Sequence, residues 1–193
     1  MHDAHLLAGH RESIAAVSAL AEHYDTLAAI AARLLGCLRS GGTIYLCGNG
    51  GSAADAQHVA AEFVGRFLRE RRPLPAVALT CNTSTLTSLG NDYGFAEIFS
   101  RQVQAHVGPQ DCVVGISTSG TSPNVLAAMK AARDIGATTI GFTGARGHEL
   151  AALCDACLLA PSEHTPRIQE AHLVAWHLIC DAVERGIVEG EKR

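Results

Sequence analysis

The chain has 193 residues, 48% of them hydrophobic and 18% charged, with a formal net charge of -4 at pH 7. That length suits one domain with a full core, and the apolar share excludes a disordered chain. Scattered Lys and Arg leave no basic footprint for nucleic acid, and no window approaches the roughly 20 uninterrupted apolar residues of a membrane span.

The opening "MHDAHLLAGHRESIAAV" mixes acids and histidines and does not read as a signal peptide. Seven irregularly spaced cysteines in such a chain read as reduced, mostly buried thiols rather than a disulfide framework, so a cytoplasmic protein is expected. "CDAC" at 154–157 matches C-x-x-C but lacks a second pair or a nearby His cluster. It is read as core rather than as a redox or zinc site.

Residues 3–39 are rich in alanine and leucine and free of proline, and "GG" at 41–42 ends them. They read as one long or two shorter helices. Short apolar runs then alternate with helical patterns. The predicted strands are "TIYLC" (43–47), "AVALT" (76–80), "CVVGIS" (112–117), "TTIGFT" (138–143) and "ACLLA" (156–160). Helices are predicted near 52–67, 84–106, 122–135 and 147–153, and 166–187 closes the chain. Alternation of this kind argues for parallel β-α-β units, because parallel strands need long crossovers that pack on the sheet faces. The nearly continuous apolar strands suit a sheet covered on both sides. No repeat, low-complexity tract or linker divides residues 1–193, and "RERRPLP" (69–75) is a charged turn entering a strand. The terminal helical segments are more apolar than a small monomer needs; burial in an oligomer and burial in the core both explain them.

In open parallel sheets, ligands gather at the carboxyl ends of strands. The first such end is "GNGGS" (48–52). Gly48, Gly50 and Gly51 permit close backbone approach, Ser52 is placed to cap the following helix, and the free N–H groups there suit an anionic or hydroxyl-rich ligand. It is neither a dinucleotide fingerprint, since Ala53 stands where a glycine is required, nor a Walker A loop. An ordinary glycine-rich connection is the competing reading. On the helix that follows, His58 and Glu62 are four residues apart and share a face with Asp55, apart from an apolar stripe of Ala56, Val59, Ala60, Phe63 and Phe67. Such a pair is either a solvated helix face or a functional one; its start at the glycine loop raises the second reading.

In "TSLGNDYGF" (87–95), Asn91 and Asp92 could bond sugar hydroxyls or simply form an Asx-turn at a helix break. In "ISTSGTSPN" (116–124), Ser117, Thr118, Ser119, Thr121 and Ser122 crowd around Gly120 before Pro123 starts a helix. Hydroxyls and free amides at a helix start can satisfy a phosphate without Lys or Arg. The final helix, "TPRIQEAHLVAWHLICDAVE" (165–184), is strongly apolar yet holds Gln169, His172 and His177. Gln169 and His177 are eight residues apart, about 12 Å of helical rise. Taken alone, each reads as a buried, hydrogen-bonded side chain.

Together, "GNGGSAADAQH", Glu62 with "GRF", "LTSLGNDYGF", "GISTSGTSPN" and "RIQEAH…WH" resemble the phosphoheptose isomerases, small members of the sugar-isomerase (SIS) family. The resemblance runs to about residue 184. It implies a five-stranded parallel sheet between helices, and a homotetramer with active sites at subunit interfaces that residues 1–40 help to form. It implies conversion of sedoheptulose 7-phosphate to D-glycero-D-manno-heptose 7-phosphate, the first step towards nucleotide-activated heptose for lipopolysaccharide. By position, Asn49, Gly50, Gly51, Ser52, Asn91 and Asp92 match substrate contacts. Ser117, Thr118, Ser119 and Ser122 match those that hold chiefly the phosphate, with Gln169 also on the substrate. His58, Glu62, Gln169 and His177 match zinc ligands, one ion per subunit, and Glu62 and His177 the acid–base pair. Three positions depart from the family pattern: Thr121 stands for a common asparagine, Asn82 for an aspartate and Pro166 for an alanine, the last bearing on where the final helix starts.

Aldose–ketose isomerisation moves a proton between adjacent carbons through an enediol, which needs a base at carbon and an acid or metal at oxygen. A carboxylate in a desolvated pocket has its pKa raised towards neutrality, which suits Glu62. His177 suits the acid, and zinc would act instead as a Lewis acid. The rival readings are a non-catalytic SIS protein that senses a sugar phosphate or docks a replication initiator, and an enzyme on another substrate, such as a hexulose phosphate isomerase or an aminosugar phosphate deaminase. Glu62 and His177 together favour the isomerase.

Overall fold

A computed structural model describes residues 4–191. The chain opens with α1 (Ala4–Ser18), a 3-10 turn (Ala19–His23) and α2 (Tyr24–Arg39). The N-terminal segment is therefore two helices; residue 3, where the sequence reading begins it, lies outside the described residues. Helix α2 turns Leu27, Ile30, Ala31, Leu34, Cys37 and Leu38 into the core at a period of three to four. Helix α1 buries only Ala16 and leaves Leu6, Leu7 and Ile14 exposed.

Five strands follow, with their crossovers: β1 (Ile44–Gly48), α3 (Gly51–Val64), β2 (Ala76–Ala78), α4 (Thr83–Asp92), a 3-10 turn (Phe95–Glu97), α5 (Ser100–His106), β3 (Cys112–Ile116), α6 (Pro123–Ile135), β4 (Thr138–Gly144), α7 (His148–Ala151), β5 (Ala156–Ala160) and α8 (Thr165–Glu191). All pair in parallel in the order β2-β1-β3-β4-β5. The expected five-stranded parallel sheet with flanking helices is thus observed. Within the strands, side chains alternate between two apolar layers. Ile44, Leu46, Val114, Ile116, Ile140 and Phe142 meet α2 and α8, with the Phe142 and Trp176 rings stacked at 4.2 Å; Cys47 and Val113 meet α5 and α6. Gly115 faces α6 so closely that a Cβ there would lie 2.8 Å from the Met129 sulfur.

The sheet reverses its winding between β1 and β3, the crevice where such folds bind ligands. Gly48 is in register with Ile116, so the loops after β1 and β3 emerge side by side.

Several boundaries differ from the sequence reading. The helix expected near 52–67 ends at Val64, so Phe67, read as part of its apolar stripe, lies beyond it, and the strand expected over 76–80 is shortened to Ala76–Ala78. The helix expected over 84–106 is broken, because Gly94 takes a left-handed φ of 88° and the chain turns there before α5. Ser52 does not cap α3: Gly50, at φ 55°, occupies the cap position, and Ser52 lies buried in the first turn. Helix α8 runs on to Glu191, past the expected end near 187, and Pro166 sits in its first turn, where a missing N–H costs nothing.

Candidate active site

The two adjacent loops build a polar recess of about 260 Å³ lined by Asn49, Gly50, Gly51, Ser52, Ser117, Thr118, Ser122 and Gln169. The N-terminus of α3 has no side-chain cap; its Ser52 and Ala53 amides turn back on the Asn49 carbonyl at 3.0 and 3.4 Å, which leaves those of Gly50 and Gly51 for a ligand. Opposite, Ser117 Oγ lies 2.8 Å from Ser122 Oγ and 3.4 Å from Ser119 Oγ, and accepts the Gly120 N–H at 3.2 Å. Ser119 itself is exposed and lines a neighbouring recess with Thr118. No Lys or Arg lines the first recess. Amides and hydroxyls alone would hold an anion there.

The loops are tied by a pair that the sequence reading missed. Asn49 Nδ2 donates to Asn124 Oδ1 at 2.9 Å, and Asn124 Nδ2 donates back to Asn49 Oδ1 at 2.8 Å. Asn124 is buried at 1% exposure. The signal was an amide residue directly after Pro123, where a surface turn would need none.

The second half of the site lies between α3 and α8. These helices run in the same direction: Gly51 abuts Gln169, and about two turns further on His58 meets His177, their Nε2 atoms 3.1 Å apart. One imidazole must donate to the other there. Glu62 Oε1 lies 3.5 Å from His58 Nε2, and the Phe67 ring stacks on His177 at 5.6 Å. Glu62, His58 and His177 therefore form one cluster within a single chain. Asp55, one turn before His58, has a buried Oδ2 without a partner; burial pushes its carboxyl up, and the His58 charge opposes the shift.

Other predicted residues are not brought together. Asn91 and Asp92 are exposed at the end of α4, and Asn91 Nδ2 donates to Asp92 Oδ1 at 2.8 Å. Helix α4 has no buried residue, and its Leu86, Thr87 and Gly90 wall an apolar cavity of about 490 Å³ that also reaches Asn49 and Gly50. Asn82 caps this helix by accepting the Thr85 N–H at 3.0 Å. Of the four expected zinc donors, Gln169 stays at the polar recess while the others cluster between α3 and α8. Among the described residues, no three His, Cys, Asp or Glu side chains are disposed to hold a metal ion. The chemistry of His58, His177 and Glu62 suits zinc, but this chain alone leaves their set incomplete.

Comparison with known proteins gives the family and the fold. The SIS domain family model matches residues 10–144. A curated phosphoheptose isomerase of Rhodospirillum rubrum is 60% identical over 147 residues, covering 76% of this chain and 78% of its own. That of Solidesulfovibrio magneticus is 53% identical over 186 residues, covering 95% and 91%. The solved structure of phosphoheptose isomerase from Neisseria gonorrhoeae superposes with a TM-score of 0.88 at 44% identity, covering 94% of this chain and 97% of the other. The chain belongs to the phosphoheptose isomerase family. As a member of it, the protein is an enzyme of the isomerase class. The structure of the Francisella tularensis family member, at TM-score 0.90, shares the same architecture. Among the described residues no helix is long and apolar enough to cross a membrane.

Proposed function

We propose that this family member converts sedoheptulose 7-phosphate to D-glycero-D-manno-heptose 7-phosphate. The observation that carries the reading is the pairing of an anion recess with an acid–base cluster along one pair of parallel helices. The recess of Gly50, Gly51, Ser117 and Ser122 would hold the phosphate, placing the far end of the sugar towards Glu62, His58 and His177. Glu62 then takes the proton from C1 and returns it to C2. His177 gives a proton to the C2 carbonyl oxygen as the enediol forms and recovers one from the C1 hydroxyl, so that no net proton is consumed. The hydrogen bond between His58 and His177 holds the His177 ring in place.

Zinc held instead by His58, Glu62 and His177 would supply Lewis-acid polarisation of the carbonyl, an account that competes with proton transfer for the same side chains; Gln169, about two turns from His177 along α8, would join that set only from a neighbouring subunit. In a homotetramer with interfacial sites, Gln169 and the exposed Asn91 and Asp92 could serve a neighbour's site. The exposed apolar residues Leu6, Leu7, Ile14, Tyr24 and Leu178 on the terminal helices support such an assembly, for which a cytoplasmic location is proposed.

The test is incubation of purified protein with sedoheptulose 7-phosphate, with and without added zinc, followed by detection of aldoheptose phosphate. Turnover is expected. None under either condition, or faster turnover of a hexulose phosphate in a side-by-side panel, overturns this assignment.

A further inference from the structure

We propose that Glu184 is a positioning residue for this site: with Arg71 it fixes both the end of the helix that carries Glu62 and the loop that lays Phe67 on His177. The inference rests on the isomerase reading for its functional consequence. Residues 65–72 leave α3 as irregular backbone and cross α8. Three consecutive amides of that loop, from Phe67, Leu68 and Arg69, each donate to the Glu184 carboxylate at 2.8 Å. Successive N–H groups turned on one anion form a nest, and here the chain provides its own anion.

Glu184 pairs with Arg71, Nε to Oε1 at 3.3 Å, and both side chains are 1% exposed. The rest of the Arg71 guanidinium closes the end of α3. Nη1 donates to the carbonyls of Phe63 at 2.8 Å and Gly65 at 3.0 Å, and Nη2 to that of Glu62 at 2.8 Å. These carbonyls have no partner within the helix, so the guanidinium acts as a C-cap built from a distant residue. One buried carboxylate thereby sets the backbone of Glu62 and, through Phe67, the ring plane of His177. Glu184 lies two turns beyond His177 on α8, so all three features hang on one rigid element.

Burial pushes the Glu184 carboxyl up, but the amides of Leu68, Phe67 and Arg69 and the charge of Arg71 outweigh it and hold it below the usual carboxylate range. Arg69, which also bonds Asp181, adds a second cation 3.7 Å away. Apolar residues of equal volume often stabilise a fold as well as a buried ion pair does; what they lack is direction. Three amides aimed at one carboxylate, with two guanidinium charges beside it, supply direction.

The test uses Glu184→Gln, Phe67→Leu and the double variant. Glu184→Gln keeps the shape but turns an NH2 towards amides that need an acceptor. Displacement of a reacting group by about 1 Å costs on the order of 100-fold. A loss in kcat of about 10- to 100-fold is expected, with KM for sedoheptulose 7-phosphate within about threefold, because the anion recess lies at the other end of α3. The double variant should be no worse than Glu184→Gln alone, since both changes act through one contact. A kcat like that of the unmodified enzyme, a rise in KM equal to the fall in kcat, or losses that multiply would each mean that Glu184 serves the fold only. The ring-proton NMR signals of His177 at fixed pH supply a readout independent of turnover. They should shift in both single variants as the Phe67 ring current is lost or moved. Unmoved signals in Glu184→Gln overturn the proposal even if the protein proves inactive on heptose phosphate. Should Glu184→Gln not fold, Arg71→Lys keeps the charge but cannot span the three carbonyls. It should show the same selective loss in kcat, and normal turnover by it would count against the inference.

Discussion

Replacing Asn124 by alanine would cut the bridge between the two halves of the anion recess. The side chain makes two hydrogen bonds with Asn49, at 2.9 and 2.8 Å, and accepts the Val125 N–H at 3.0 Å. Each buried bond is worth about 1 kcal/mol net, and a donor left unpaired costs somewhat more, so Asn124→Ala should lose about 2–3 kcal/mol. In a domain of this size that lowers Tm by roughly 4–12 °C. If about 1 kcal/mol of the loss falls on alignment of the two loops, the Kd for inorganic phosphate should rise about fivefold. The KM for the sugar phosphate should follow it. Because Glu62, His58 and His177 lie further along α3, kcat should change little. Thermal melts, phosphate calorimetry and steady-state kinetics together check this. A lowered Tm with unchanged Kd and KM would show that the amide pair holds the fold without shaping the recess, and the argument would fail.

Glu62→Gln should lower kcat by about 100- to 10,000-fold while phosphate affinity stays within a few-fold; equal losses in both would make Glu62 structural. His172 is fully buried, with Nε2 3.1 Å from the Thr143 carbonyl, and burial lowers its pKa to about 4 despite that bond. The unfolded chain binds this proton more readily. The stability contributed by keeping His172 neutral is therefore complete above pH 6.5 and declines as pH falls towards 4, by about 2 kcal/mol at pH 5. Urea unfolding should show that slope, and His172→Asn should flatten it; an identical slope in the variant would exclude His172 as its source. Leu178, 45% exposed beside the half-open groove formed with Tyr24 and Ala182, should be covered in the assembly. Leu178→Glu should shift the protein to smaller species in light scattering, and an unchanged mass would place the interface elsewhere.

Much of the fold could be read in the sequence because the strands are nearly pure apolar runs and the crossovers are periodic. The loops "GNGGS" and "ISTSGTSPN" could be placed at one sheet edge because the fold class brings alternate strand ends together. Other features could not. The break at Gly94 depends on one backbone angle, which a periodic pattern runs straight through. The meeting of His58 with His177 needs the relative direction and register of α3 and α8, which no local pattern carries. Arg71 read as part of a charged turn, and Glu184, the last residue of "TPRIQEAHLVAWHLICDAVE", was not singled out. Its place on the buried face, seven residues after His177, was the available signal. The expectation that Ser52 would cap α3 failed because Gly50 reaches a positive φ that makes the turn a residue earlier.

The parallel course of α3 and α8 has a consequence for selectivity. Gly51 and Gln169 mark one end and His58 and His177 the other, seven and eight residues along rods that neither stretch nor shorten. At 1.5 Å per residue the two ends stand about 10–12 Å apart along the helix axes. Under the proposed binding mode such a pair would work as a gauge: a sugar one carbon short, anchored by its tail, would leave its carbonyl below the mark, and counting carbons would become a matter of helical pitch.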